Sequence, residues 1–474
     1  MAGKASRGRG HRRGKAIAAA LDLGSTMIKG ALLEESGSLR GIVARPAPPL
    51  DGTGLIRESD PSAWMHEVVA VLAEVRRAAG SCLPLAIASQ RSSFVLWERR
   101  QAIAVTPLIS WQDRRAESWC ARHAGDGEMI GRVTGVRLSP HYAGPKLASL
   151  LEGDATLAEM MAGGEIRFGT LDAFLLAHLT GERCHETDLT MAARTLLADP
   201  RSGGWSADLL GWAGVPAASL PEIVASTRRE GPEIEGLPVT AGLADQSAAA
   251  LAALGAASDD ALVSLGTGGF VMRATGGEMR RPEGYLSGVL LGDPGRKTRF
   301  AAEGTINGVS EALYRFGSGP TPLPAEDPSP RAFCLPDVTG TGAPHWKAGA
   351  TLELSKEASA LSPHERRRIV IEGVIFRVRE ILEDLFGADE PRRVLLSGGP
   401  ATEATIAEGL AACLGRPVHR LTDPEATLLG AARLAAGMEP GAPPPAAIEV
   451  PHGKAGHYLR GKFAPWRGWL RSLD

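Results

Sequence analysis

Ala16-Ile-Ala-Ala-Ala-Leu-Asp22-Leu-Gly24-Ser25-Thr26-Met-Ile-Lys29-Gly-Ala-Leu-Leu-Glu34 reads as a strand, a Gly-Ser-Thr turn and a second strand. About 240 residues later, Ala261-Leu-Val-Ser-Leu-Gly266-Thr267-Gly268-Gly269-Phe270-Val-Met-Arg273 repeats the device. Such a turn exposes several backbone N–H groups, and glycine lets them converge on an anion. Ser25, Thr26 and Thr267 add neutral donors and Lys29 adds charge, while an aspartate at the strand end, Asp22, can hold hydrated Mg²⁺. One hairpin of this kind is an ordinary turn. Two of them imply two domains of related design, facing one cleft and able to grip a polyphosphate from both sides; a repeat of two is too few for a solenoid.

The length supports that division. The chain has 474 residues, whereas single cores usually stop growing at ~250–300 residues. Hydrophobic residues make up 44% and charged residues 22%, which excludes a wholly disordered chain, a collagen and a coiled coil. The formal charge of −2 averages two unlike regions: residues 1–15 hold six of the 52 bases and no acid, leaving 46 bases against 54 acids, or −8, on the rest. The basic arm is expected to be a disordered tail, with no aromatic or motif support for nucleic-acid binding. Five scattered cysteines, Cys82, Cys120, Cys184, Cys334 and Cys413, lack zinc-ligand or redox spacing and read as reduced thiols in a cytoplasmic protein. No apolar run is long enough to span a membrane. The basic start followed by Ala16–Leu21 imitates a signal peptide, but Asp22 and Gly24 break it at once.

Between and after the hairpins the pattern gives a coarse map. Asp60-Pro61 caps a helix whose Trp64, Val68, Val71, Leu72 and Val75 share a face. Leu83–Ser89 and Ala102–Trp111 read as strands, and residues around Asp172–His178 as a helix. Ser362-Pro363-His364-Glu365 is a capping box with proline at the first helical position; Val370, Val374, Val378, Ile381 and Leu385 then form one stripe, ended by Gly387. Arg393-Val-Leu-Leu-Ser397 leads into Gly398-Gly399 and a helix carrying Ile406, Leu410, Cys413 and Leu414, where backbone can approach a flat ligand closely. The expected units are an arm at 1–15, an N-terminal domain at 16–247, a C-terminal domain at 248–438, and a linker and tail at 439–474. The tail offers no signal except a decoy: Gly456-His-Tyr-Leu-Arg-Gly461-Lys462 has Walker spacing, but Phe463 replaces the required Ser or Thr.

Asp245-Gln246 stands at the start of an alanine-rich helix, where an aspartate is commonly a cap; at a cleft mouth it can instead act as general base toward a hydroxyl attacking a γ-phosphate. The segments Gln90-Arg91-Ser92, Trp111-Gln112-Asp113-Arg114-Arg115 and Pro140-His141-Tyr142 combine aromatic planes with forked hydrogen-bonding groups, as polyol and sugar pockets do. His185-Glu186 and His364-Glu365 lack the second histidine of a metal motif, and no dinucleotide fingerprint or nucleophile elbow is present.

Laid out in order, these segments resemble the FGGY carbohydrate kinases over about residues 16–438, and among them the glycerol kinases. Asp22-x-Gly24-Ser25-Thr26 and Gly266-Thr267-Gly268 resemble the two phosphate motifs. Ser89-Gln90-Arg91, Trp111-Gln112-Asp113, Phe168-Gly-Thr-Leu-Asp172, Thr187-Asp188, Ala193-Arg194-Thr195 and Gly242-x-x-Asp245-Gln246 have counterparts, Ser397-Gly398-Gly399 resembles the adenosine motif, and Glu425 to Gly430 closes the series. The resemblance implies an actin-like (ribonuclease H-like) fold of two α/β domains with ATP·Mg²⁺ between them. It makes Asp245 the base and places Asp22 and Asp245 near the metal. Ser25, Thr26, Lys29, Gly266 and Thr267 would meet phosphates, and Ser310, Tyr314, Gly398, Gly399 and Glu403 would face the nucleotide.

Arg91, Ser92, Trp111, His141, Asp245, Gln246 and Phe270 would line the acceptor pocket. Ser92 stands where glycerol kinases carry glutamate and His141 where they carry tyrosine, so a related polyol or sugar is expected rather than glycerol; Lys29, Ser310, Tyr314 and Glu403 also depart from their pattern. The leading expectation is an ATP-dependent kinase for a small polyol or sugar. It acts without nucleic acid or membrane, and a homo-oligomer is left open. The rival, motivated by the substituted positions, is a nucleotide-binding regulator or pseudokinase without acceptor turnover.

Overall fold

The structure, a computed structural model, describes residues 14–255, 259–293, 297–438, 447–450, 454 and 456–473. The basic arm lies almost wholly outside the described residues, as do residues 439–446 of the expected linker and tail.

Two sheets share one topology. In the first, Ala16–Leu23, Met27–Glu34 and Leu39–Pro46 form an antiparallel meander. Leu85–Ser89 and then Leu237–Ala244 add in parallel on the other side of the first strand. In the second, Ala261–Leu265, Gly269–Gly276 and Arg299–Ile306 form the meander, and Val394–Ser397 and Val418–Leu421 add in parallel. The repeated hairpins are therefore the first two strands of each sheet. The second sheet also gains Leu286–Leu291 at one edge and Ala447–Val450 at the other.

Between the sheets lie two helices, Asp245–Leu254 and Ala426–Ala435. One core cluster joins them to Ala18, Ala20, Ala86 and Ala88 of the first sheet and to Leu262, Met272 and Leu395 of the second. Alanine on the facing strands lets the helices sit close, and Gly430 lets them touch: a Cβ there would stand 1.9 Å from the Ala248 carbonyl oxygen. The expected domain division at 247/248 falls inside the helix Asp245–Leu254.

A smaller four-stranded sheet (Glu58–Ser59, Leu108–Ile109, Phe94–Glu98, Ile166–Thr170) carries the Trp111 and His141 region, with the helices Glu117–Arg122 and Ala143–Gly153 beside it. Here the strand expected at 102–111 shrinks to Leu108–Ile109. Ala102 has φ 54° and Ile103 and Val105 face solvent, and Pro107 has no N–H to give a neighbouring strand. The capped helix is as expected, Pro363–Phe386 with both capping-box bonds formed. It is buried on more than its apolar stripe: Arg367, Arg368, Glu372, Arg377 and Glu380 are also buried.

The segment read as an uninformative tail is structured. Leu459–Arg471 is a helix that buries Leu459, Phe463, Trp466 and Leu470 in the core of the second domain. The Walker-spaced decoy runs into this helix, and its Lys462 is paired with Glu372 at 2.8 Å, so it is no phosphate loop. Among the described residues no helix is long and apolar enough to cross a membrane.

Candidate active site

Asp22 ends the first strand with its Oδ1 buried and without a hydrogen-bond partner. Burial, and then the nearby Asp245, push its carboxyl up to about 8, against the pull of Lys29. A buried, orphaned carboxylate oxygen facing a second carboxylate is what a divalent cation satisfies. Among the described residues no group of three or more acidic, histidine or cysteine ligands exists. Mg²⁺ fits such a place, because it is commonly held by one or two carboxylates while substrate phosphates and water complete its shell. Thr26 is exposed and Ser25 half-buried in the turn that follows. Lys29, on the next strand, reaches across to the second domain, where its Nζ donates to both carboxylate oxygens of Glu425.

The second turn is braced from below. Gly266 N–H donates to the Gly268 carbonyl at 2.8 Å, and Ser310 Oγ donates to the Gly266 carbonyl at 2.6 Å. Ser310 thus supports the turn, leaving Thr267 exposed at its tip. Tyr314 and Glu403 share a partner: the Arg367 guanidinium lies over the Tyr314 ring at 5.9 Å and pairs with Glu403 at 2.9 Å. Gly398 has φ 94°, and a Cβ on it would stand 1.8 Å from the Leu265 carbonyl oxygen. No other residue fits there, which explains Gly398 beside the second turn.

Asp245, Gln246, Phe270, Ser264, Ser397 and Thr427 are among the residues lining a cleft of about 200 Å³ between the domains. Burial raises the Asp245 carboxyl above the ordinary range, while Arg91 and the Gln246 backbone N–H, at 2.7 Å, pull the other way. Arg91 Nη2 donates to Gln246 Oε1. Behind them Arg194 pairs with Glu303 at 2.8 Å, both buried. Ser92, at φ 65°, donates its hydroxyl to the Arg194 carbonyl at 2.8 Å, so it braces the site from within.

Trp111 and His141 form a second pair, ring centroids 6.3 Å apart. They make no direct hydrogen bond to Arg91 or Asp245; Trp111 is tied to that strand through its backbone N–H on Ser93 Oγ, 3.0 Å. His141 Nδ1 lies 3.2 Å from the Trp111 carbonyl oxygen. A carbonyl only accepts, so Nδ1 carries the proton. Burial lowers the ring's pKa and favours the neutral form, against the help of that carbonyl. The neutral ring then keeps Nε2 as an acceptor.

Three participants had no role assigned from sequence. Arg194 and Glu425 sit in segments whose pattern was recognised, but their partners lie in the other domain. Glu303 carried its own signal, the one acid in the strand Arg299–Ile306, flanked by Ala301, Ala302 and Gly304.

Comparison with known proteins bears on what this cleft does. Residues 17–252 match the model of the FGGY family of carbohydrate kinases, N-terminal domain, and residues 261–438 that family's C-terminal domain. A glycerol kinase from Xanthobacter autotrophicus is 31% identical, with 94% of each chain covered. The chain belongs to the FGGY family of carbohydrate kinases. The fold of this FGGY kinase matches the crystal structure of Plasmodium falciparum glycerol kinase with ADP, at TM-score 0.84 and 18% identity over 96% of this chain and 98% of that one. It also matches a xyloylose kinase from Brucella ovis, at TM-score 0.83 and 20% identity over 96% and 100%. The protein is therefore a carbohydrate kinase. The two family models part between residues 252 and 261, at the end of the helix that begins with Asp245.

Proposed function

We propose that this FGGY kinase transfers the γ-phosphoryl group of ATP to a hydroxyl of a small polyol or sugar, with Asp245 as the general base. The observation that carries the reading is the placement of Asp245: a half-buried carboxylate that opens a helix and lines the cleft, beside the Arg91–Gln246 pair and near the orphaned Asp22. Asp245 takes the proton of the acceptor hydroxyl, the oxygen forms the new bond to phosphorus, and the bond to the ADP oxygen breaks. Burial raises the basicity of Asp245, which suits it to that task. Bound Mg²⁺ would be held by Asp22 and Asp245 and would neutralise charge on the transferring phosphoryl group. Ser25, Thr26, Lys29 and the Gly266–Thr267 turn receive phosphates, and Gly398-Gly399 with Tyr314 and Glu403 form the adenosine side. Trp111 and His141 cover the acceptor.

The test is ADP release over a panel of small polyols, sugars and sugar derivatives, with Asp245→Asn as control. Acceptor-dependent turnover should fall ~10²–10⁴-fold in the variant. Turnover undiminished in Asp245→Asn sinks the assigned base. ATP binding by calorimetry with no turnover on any acceptor sinks the kinase reading in favour of a nucleotide-binding regulator.

A further inference from the structure

Arg91 makes no direct ion pair among the described residues. Among the described residues no carboxylate lies within 4 Å of its guanidinium, and its side-chain partner is the neutral amide oxygen of Gln246. The adjacent Arg194 consumes the nearest acid, Glu303, at 2.8 Å. Asp245 gives one oxygen to the Gln246 backbone and acts on Arg91 only at longer range. Ser92 turns its hydroxyl to a backbone carbonyl instead. A guanidinium has five donors in a planar fork, matched in geometry by a carboxylate. Holding such a group half-buried beside a second arginine costs free energy unless an anion arrives to pair it. Burial and the repulsion of Arg194 together lower the pKa of Arg91, the electrostatic sign of that unmet demand.

We propose that the acceptor is a polyhydroxy carboxylate, a small sugar acid whose carboxylate pairs with Arg91 while one of its hydroxyls faces Asp245. This rests on the kinase reading above and narrows it. The balance is unchanged: the hydroxyl proton passes to Asp245, oxygen bonds to the γ-phosphorus, ADP leaves, and the acceptor's carboxylate takes no part in bond making. A neutral polyol leaves the arginine fork with hydroxyl partners alone, and buried polar sites discriminate strongly against a missing partner.

The experiment compares matched pairs in the ADP-release assay: glycerate against glycerol, erythronate against erythritol, gluconate against sorbitol. The expected result is a kcat/KM for the best acid at least tenfold above that of its alcohol. Gln246→Glu places a carboxylate on Arg91 in the same contact, and it should erase or reverse the preference by raising KM for the acid. Arg91→Gln should remove the preference too, with circular dichroism confirming that the variant folds. Wild-type preference for the neutral member of every pair overturns the inference and leaves the kinase reading intact. A preference for acids that survives both substitutions overturns the role of Arg91. Failure of all six compounds beside turnover of a neutral sugar likewise refutes the sugar-acid acceptor. Failure of every acceptor, with ATP still bound, overturns the kinase reading and the inference with it.

Discussion

The ammonium of Lys29 stands 2.8 Å from both carboxylate oxygens of Glu425, joining the first phosphate turn to the helix Ala426–Ala435 across the interdomain cleft. A lysine that is to meet a phosphate must leave that partner. On the proposed reading, nucleotide binding competes with this ion pair. Glu425→Gln should lower the KM for ATP by about two- to fivefold, the range sustained by an ion pair of ~0.5–1 kcal/mol. Initial rates at saturating acceptor check this. An unchanged KM would mean that Lys29 serves only to link the domains.

The Arg194–Glu303 pair also crosses the domains, and it is buried. Burial opposes the Glu303 charge, yet Arg194 and then Arg91 hold its carboxyl below the usual range. Glu303→Gln would leave two guanidinium groups close together with no acid between them. Breaking a buried pair costs about 3–5 kcal/mol, so the variant should unfold at distinctly lower urea, and a double change to Arg194→Met with Glu303→Leu should recover much of the loss.

Gly430 sets how closely the two central helices approach. Gly430→Ala puts a methyl group 1.9 Å from a backbone oxygen of the facing helix, and overpacking of this kind costs about 1–3 kcal/mol. The melting temperature should fall. Because Glu425 opens the same helix, its contact with Lys29 should loosen as well, seen as a change in the salt dependence of the ATP KM.

Lys146 buries its ammonium against the Ser110 carbonyl, 2.6 Å away. Burial lowers its pKa from 10.5 to about 7, against the attraction of Asp113 and with some help from Arg115. The unfolded chain therefore binds a proton between pH 10.5 and 7 that the folded chain declines, and stability should fall as pH drops through that window and level off below it. Lys146→Met should flatten that slope. Urea midpoints of both proteins at pH 9.5 and pH 7 decide the matter.

Much of the cleft was legible because its devices are local. Two strand-turn-strand repeats, a capping box and a Gly-Gly after a strand each act over a few residues, and they marked the phosphate turns, the long helix and Gly398. Family resemblance added an order to these segments. Trp111 and His141 were marked as acceptor residues, and the structure does bring their rings together. The C-terminal helix was missed for a definite reason. Its Pro465 and mixed basic residues hide the pattern, and its stability comes from burying Trp466 against the Cys334 carbonyl and the Phe376 ring.

By itself the sequence determined the family, the two repeated strand-turn-strand units and the position of Asp245 at a helix start, since turn chemistry, capping and strand patterning depend on near neighbours. Only the tertiary structure decided which charges meet. Lys29 finds Glu425 at a separation of 396 residues and Arg194 finds Glu303 at 109, while Arg91 is left with a neutral amide. Those pairings depend on how two sheets stack about a helix pair, and a few ångströms there separate an ion pair from a cation that meets only a neutral amide.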